Sequence, residues 1–162
     1  MAWSEQRLKD RYGSYMEAFE RYQEAIDSGD HHDALVGMFK MGVLDLRFGN
    51  HGAARQAFLW VKRGDEPFYS AQAAFNLGAL EQEVGNVAEA RQAYRDAVSS
   101  GYYEVGPMAA YNLGILEAGE GDGDMARMAF ELAAQSGHPT VADKARRRLR
   151  DMDEARREAG GA

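Results

Sequence analysis

Cysteine is absent from the sequence. Disulfides, thiol chemistry and Cys-based zinc sites are excluded with it, and a reducing compartment is the matching expectation. Proline is scarce, with 3 residues, and no low-complexity tract is present, so no long disordered segment is expected. A basic surplus is also lacking. The net charge is -7, which argues against nucleic acid as a partner, because phosphate contacts need a basic footprint. No run approaches the roughly 18 apolar residues of a membrane span. The segment Met1-Ala2-Trp3-Ser4-Glu5-Gln6 lacks a basic stretch followed by an apolar core. Neither membrane insertion nor export is therefore expected, and a cytoplasmic protein is the default. Of the 19 basic residues, 15 are Arg, which points to a GC-rich coding preference more than to a ligand.

Against these absences stands a word written twice, 36 residues apart. Ala73-Ala74-Phe75-Asn76-Leu77-Gly78 returns as Ala109-Ala110-Tyr111-Asn112-Leu113-Gly114. Each copy is followed by Ala-Arg-x-Ala-aromatic, at Ala90 to Tyr94 and at Ala126 to Phe130. A third copy reads Met38-Phe39-Lys40-Met41-Gly42, with Ala54 to Phe58 as its second half. A fourth, fading copy aligns Trp3, Gly13, Ala18 and Tyr22 with Phe39, Gly49, Ala54 and Phe58. A fixed period in this range means stacked supersecondary units.

Each unit reads as two helices. Ala90, Ala93, Tyr94, Ala97 and Val98 fall at i, i+3, i+4, i+7 and i+8, one apolar stripe at helical spacing. Gly85 suits the left-handed residue that ends a helix. Asn86, three residues before Glu89, predicts a capping-box start for the next. Gly13-Ser14 has the same grammar and predicts a turn there. Gly29, Gly64, Gly101 and Gly137 punctuate the ends of the second helices, and Pro67 and Pro139 suit helix starts. The last segment predicts one helix with a Val141, Ala145, Leu149, Met152 and Ala155 stripe. Arg150 there replaces the repeat Gly, as a solvated cap requires.

These residues resemble the tetratricopeptide repeat: Leu77, Gly78, Ala90, Tyr94 and Ala97 match its pattern, as do Leu113, Gly114, Ala126, Phe130 and Ala133. The period is 36, against about 34 in the standard unit. Asp45, Glu81 and Glu117 hold a position where the family has Tyr. The Gly101 and Gly137 links also resemble the Sel1-like repeat, but the short Gly85-Asn86 turn favours the tetratricopeptide form. The resemblance implies an all-α fold, a right-handed superhelical α-solenoid of stacked antiparallel helix pairs with a C-terminal capping helix. It implies one domain over 1–162, divided as a degenerate repeat (1–30), repeats at 31–66, 67–102 and 103–138, a capping helix (139–157) and a tail (158–162).

Little chemistry is written into the chain. His31, His32, His51 and His138 have no metal-ligand spacing. Glu120-Gly121-Asp122-Gly123-Asp124 lacks the length and closing Glu of a calcium loop. No nucleophile elbow, phosphate loop or dinucleotide fingerprint occurs. Neither an enzyme nor a cofactor is expected. The Arg run near Arg147 reads as a solvated helix face.

The resemblance instead implies a concave groove lined by the first helices, which binds a peptide or helix of a partner protein. Its positions are Phe39, Lys40, Val43 and Arg47, then Gln72, Phe75 and Asn76, then Met108, Tyr111, Asn112 and Ile115. Aromatics (with Trp3) supply contact area, and Asn76 and Asn112 pair with peptide amides. The other reading is internal: the aromatics pack on neighbouring first helices and the Asn residues hold inter-repeat geometry. Some members of the family grip a C-terminal carboxylate with Lys, Asn and Arg. Only Asn76 matches that clamp, while Phe39, Val43, Met108 and Asn112 stand at its other positions, so the clamp is not expected. Self-assembly is the alternative function, with Trp3, Tyr12 and Tyr15 as the exposed end.

Overall fold

The computed structural model describes residues 5–160 of the chain, and the side chains of 10 and 13–159. Among the described residues eight helices follow one another: α1 Glu5–Ile26, α2 His31–Phe48, α3 His51–Lys62, α4 Pro67–Glu83, α5 Val87–Ser99, α6 Gly106–Gly119, α7 Gly123–Gln135 and α8 Pro139–Gly160. They fall into two compact units, one up to Ala73 and one from Ala74, with the division inside α4. No described helix is long and apolar enough to cross a membrane.

In the first unit α1 packs on α2, and α2 pairs with α3. The core is built from Leu35, Met41, Ala54, Ala57, Phe58 and Val61. The tight α2–α3 turn is made by Gly49 at φ 81°. Asn50 N–H then donates to the Asp45 carbonyl at 2.8 Å, which closes the helix end. The turn expected at Gly13–Ser14 does not form, because α1 runs unbroken through it. Ser14 Oγ donates to the Asp10 carbonyl, one helical turn back, at 3.0 Å. A hydroxyl that bonds within the helix cannot cap a new one. Tyr15, expected at an exposed end, is instead held inside the unit by Asp45 and the edge of the Phe48 ring. Trp3 lies outside the described residues, as does the Tyr12 side chain.

The second unit repeats the grammar. Gly85 and Gly121 turn at φ 82°, and Asn86 and Asp122 donate back to the carbonyls of Glu81 and Glu117. The repeat Gly has a packing reason. A Cβ at Gly78 would lie 2.6 Å from the Tyr94 ring, and one at Gly114 would lie 2.6 Å from Phe130. α6 pairs with α7, and α8 packs on both. Ala110, Ala126, Phe130, Ala133, Val141 and Ala145 form the cluster beneath α8, with Leu149 and Met152 at its edge. Ala155 is exposed, so the buried stripe is shorter than the sequence periodicity suggests.

Candidate functional site

The stripe Phe39, Lys40, Val43 and Arg47 recurs at helical spacing, which places all four on one side of α2. With Tyr22 of α1 and Leu44 they line a pocket of about 180 Å³. The floor is apolar. Phe39 is half-buried, with its ring 6.0 Å from Phe58 and 5.6 Å from Tyr69. Val43 is 37% exposed. Lys40 and Arg47 stand exposed at the rim with no ion pair among the described residues. Ligand pockets for small molecules run to roughly 300–1,000 Å³, so this one has room for a side chain and not for a cofactor. Gln72, on the α4 segment of the first unit, is half-buried and is not part of the lining.

The expected residues of the second unit divide between two contacts. Met108, Tyr111 and Ile115 are partly buried against the cluster under α8. The Tyr111 ring lies 5.6 Å from Phe130, and Phe75 lies 6.2 Å from Tyr94. Phe75 and Tyr111 thus pack on the second helix of their own pair, while Phe39 also meets Tyr69 on the next first helix. The Tyr94 hydroxyl donates to Gln82 Oε1 at 2.8 Å, and Asn112 lies near enough to act on it. Burial pushes the Tyr94 hydroxyl up to about 12, with Asn112 pulling the other way. Asn76 is half-buried and makes no side-chain hydrogen bond among the described residues.

The buried acids are Asp45, Glu81 and Glu117, at 4%, 3% and 1% exposure. Burying a carboxylate is costly unless it is paired, and each has a local donor. Asp45 accepts from Tyr15 Oη at 2.9 Å and Asn50 Nδ2 at 3.0 Å. Glu81 accepts from Asn86 Nδ2 at 2.7 Å. Glu117 takes Arg91 in a two-pronged pair, with both N···O distances 2.6 Å. That bond raises the Arg91 guanidinium further, and the charges of Glu117, Glu120 and Asp122 add to it. The capping box expected at Asn86 is not made, since its amide turns back to Glu81. Asp122, whose side chain has no N–H to give, does cap its helix by accepting from Met125 N–H at 3.0 Å. The 36-residue recurrence of the three acids was the sequence signal for this ladder. Its chemistry is structural: the carboxylates are closed off and satisfied.

Two surface features carried no spacing signal. His31 Nε2 lies 2.7 Å from Asp65 Oδ1, and His32 Nδ1 lies 2.7 Å from Glu66 Oε1. No group of three or more metal-ligating side chains occurs among the described residues. A concavity of about 420 Å³ opens beside Tyr102, Tyr103, Pro107, Leu132 and Gln135. Tyr103 stacks on His138 there and donates to the Gly137 carbonyl at 3.0 Å.

No protein-family model and no curated protein matches the chain. Solved structures do. The chain is similar to a crystal structure of MamA over 100% of both chains, with a TM-score of 0.60 and 18% identity. A second MamA crystal structure matches 80% of this chain and 76% of its own, at a TM-score of 0.54 and 19% identity. Likeness at that identity establishes the fold, and with the Gly-punctuated helix pairs it makes the chain an all-α array of tetratricopeptide-like helix pairs.

Proposed function

We propose that the chain is a protein-binding module that holds a peptide or helix of a partner on the exposed side of α2. The observation that supports this is the meeting of Phe39, Lys40, Val43 and Arg47 around one open pocket of side-chain size. An apolar floor with an unpaired polar rim is the anatomy of a small interface anchor. Partners recovered from native lysate with the wild-type chain should bind Val43→Arg at least about tenfold more weakly, a loss of about 1.4 kcal/mol. Calorimetric affinities that do not change would sink the assignment.

Self-association is a second reading, supported by Met128 and Leu132. They sit one turn apart on α7 and are 62% and 50% exposed. Sedimentation over a concentration series should then show oligomers that Met128→Glu with Leu132→Glu removes. A wild-type chain that stays monomeric throughout ends this reading.

A further inference from the structure

We infer that the α2 pocket selects an extended acidic segment, in which one apolar side chain is bracketed by carboxylates. This rests on the docking role proposed for the same pocket. Val43 and Leu44 sit between the two cations along α2, three or four residues from each. At about 1.5 Å per residue, Lys40 and Arg47 are roughly 10 Å apart along the helix axis. An extended chain of polyproline-II geometry covers that distance in three residues, at about 3.1 Å each, and returns side chains i and i+3 to one side. The matching ligand therefore carries carboxylates at positions i and i+3, with an apolar residue between them that enters the pocket over Phe39 and Tyr22.

Three observations converge on that chemistry. The volume of about 180 Å³ accommodates a single side chain. The lining between the cations is Tyr22, Phe39, Val43 and Leu44, which rewards an apolar group. Lys40 and Arg47 have no carboxylate of their own among the described residues, although the chain carries 26 Asp and Glu. A cationic rim on an acidic protein is a local exception to its field, and it repels basic segments while pairing acidic ones. No free C-terminus is required, because both carboxylates are side chains.

The test is fluorescence anisotropy with three acetylated and amidated peptides. One carries Glu-Leu-Ser-Glu, and the other two have Gln or Lys in place of both Glu. The Glu peptide should bind about tenfold or more tightly than the Gln peptide, and the Lys peptide should not bind. Raising salt from about 0.05 to 0.3 M should weaken the Glu complex. Lys40→Glu with Arg47→Glu, both exposed and neutral to folding, should reverse the preference toward the Lys peptide. If all three peptides bind alike and Val43→Arg abolishes each, the acidic selectivity is wrong while the docking role stands. If Val43→Arg leaves the Glu peptide bound, or no peptide binds at about 1 mM, both fall.

Discussion

Two residues at one position of the 36-residue repeat have side chains with different partners. Asn86 and Asp122 both follow a left-handed Gly. The amide of Asn86 donates to the buried Glu81. The side chain of Asp122 cannot donate, and Glu117 is paired with Arg91 of the preceding helix. Removing one partner of such a pair leaves a buried charge uncompensated. Arg91→Met should therefore cost about 3 kcal/mol, read as a lower urea midpoint. Arg91→Met with Glu117→Leu should recover most of that loss, since an apolar pair of similar volume leaves no orphaned charge. A double variant no more stable than the single would show that the pair adds net stability.

At the scale of elements, the start of α2 is tied to the α3–α4 link by two histidines. His32 is raised above its ordinary value, first by its hydrogen bond to Glu66 and then by the charges of Glu66, Asp33 and Asp30. Its protonated form is favoured in the folded chain. That contribution is complete below the unfolded value of 6.5 and fades as pH rises through the higher folded value. Asp65 is lowered, first by its hydrogen bond from His31. Its contribution is present above 3.8 and is lost as pH falls through the lower folded value. NMR titration of His32 should give a midpoint above that of an unstructured His, and Glu66→Gln should bring it down. A His32 midpoint that ignores Glu66→Gln would refute the tie. The opposite error of expectation occurs in α1. Gly13-Ser14 has the letters of a turn, yet Ser14 bonds within its own helix. A turn needs a following helix start that caps itself, and nothing at Ser14 supplies one.

At the scale of the molecule, a repeat array depends on its ends, because each unit is stabilised by its neighbours. α8 covers Phe130 and Ala133 with Val141, Ala145 and Leu149. Truncation after Ser136 should therefore expose that cluster and lower the melting temperature by many degrees, while Arg150→Ala, on the exposed side, should leave it within about 0.5 kcal/mol of wild type. Equal melting of truncated and full chains would mean that α8 is no cap. Most of this architecture was legible in the chain. The period, the helix stripes, the turn glycines and the close approach at Gly78 and Gly114 are local or strictly repeated, so a single sequence displays them. The candidate site was legible only in part. Phe39, Lys40, Val43 and Arg47 share one helix face by spacing alone, and they do meet.

What the tertiary structure decided was each polar group's partner. Tyr94 turns its hydroxyl to Gln82, and Tyr15 turns inward to Asp45. The histidines find carboxylates 34 residues away. Such pairings depend on which side chains the packed helices bring within 3 Å, a long-range geometry that no periodicity encodes. The sequence by itself determined the repeat, its helices and their apolar faces, because burial follows period. The choice between a polar residue that waits for a ligand and one already satisfied was made only when the helices packed.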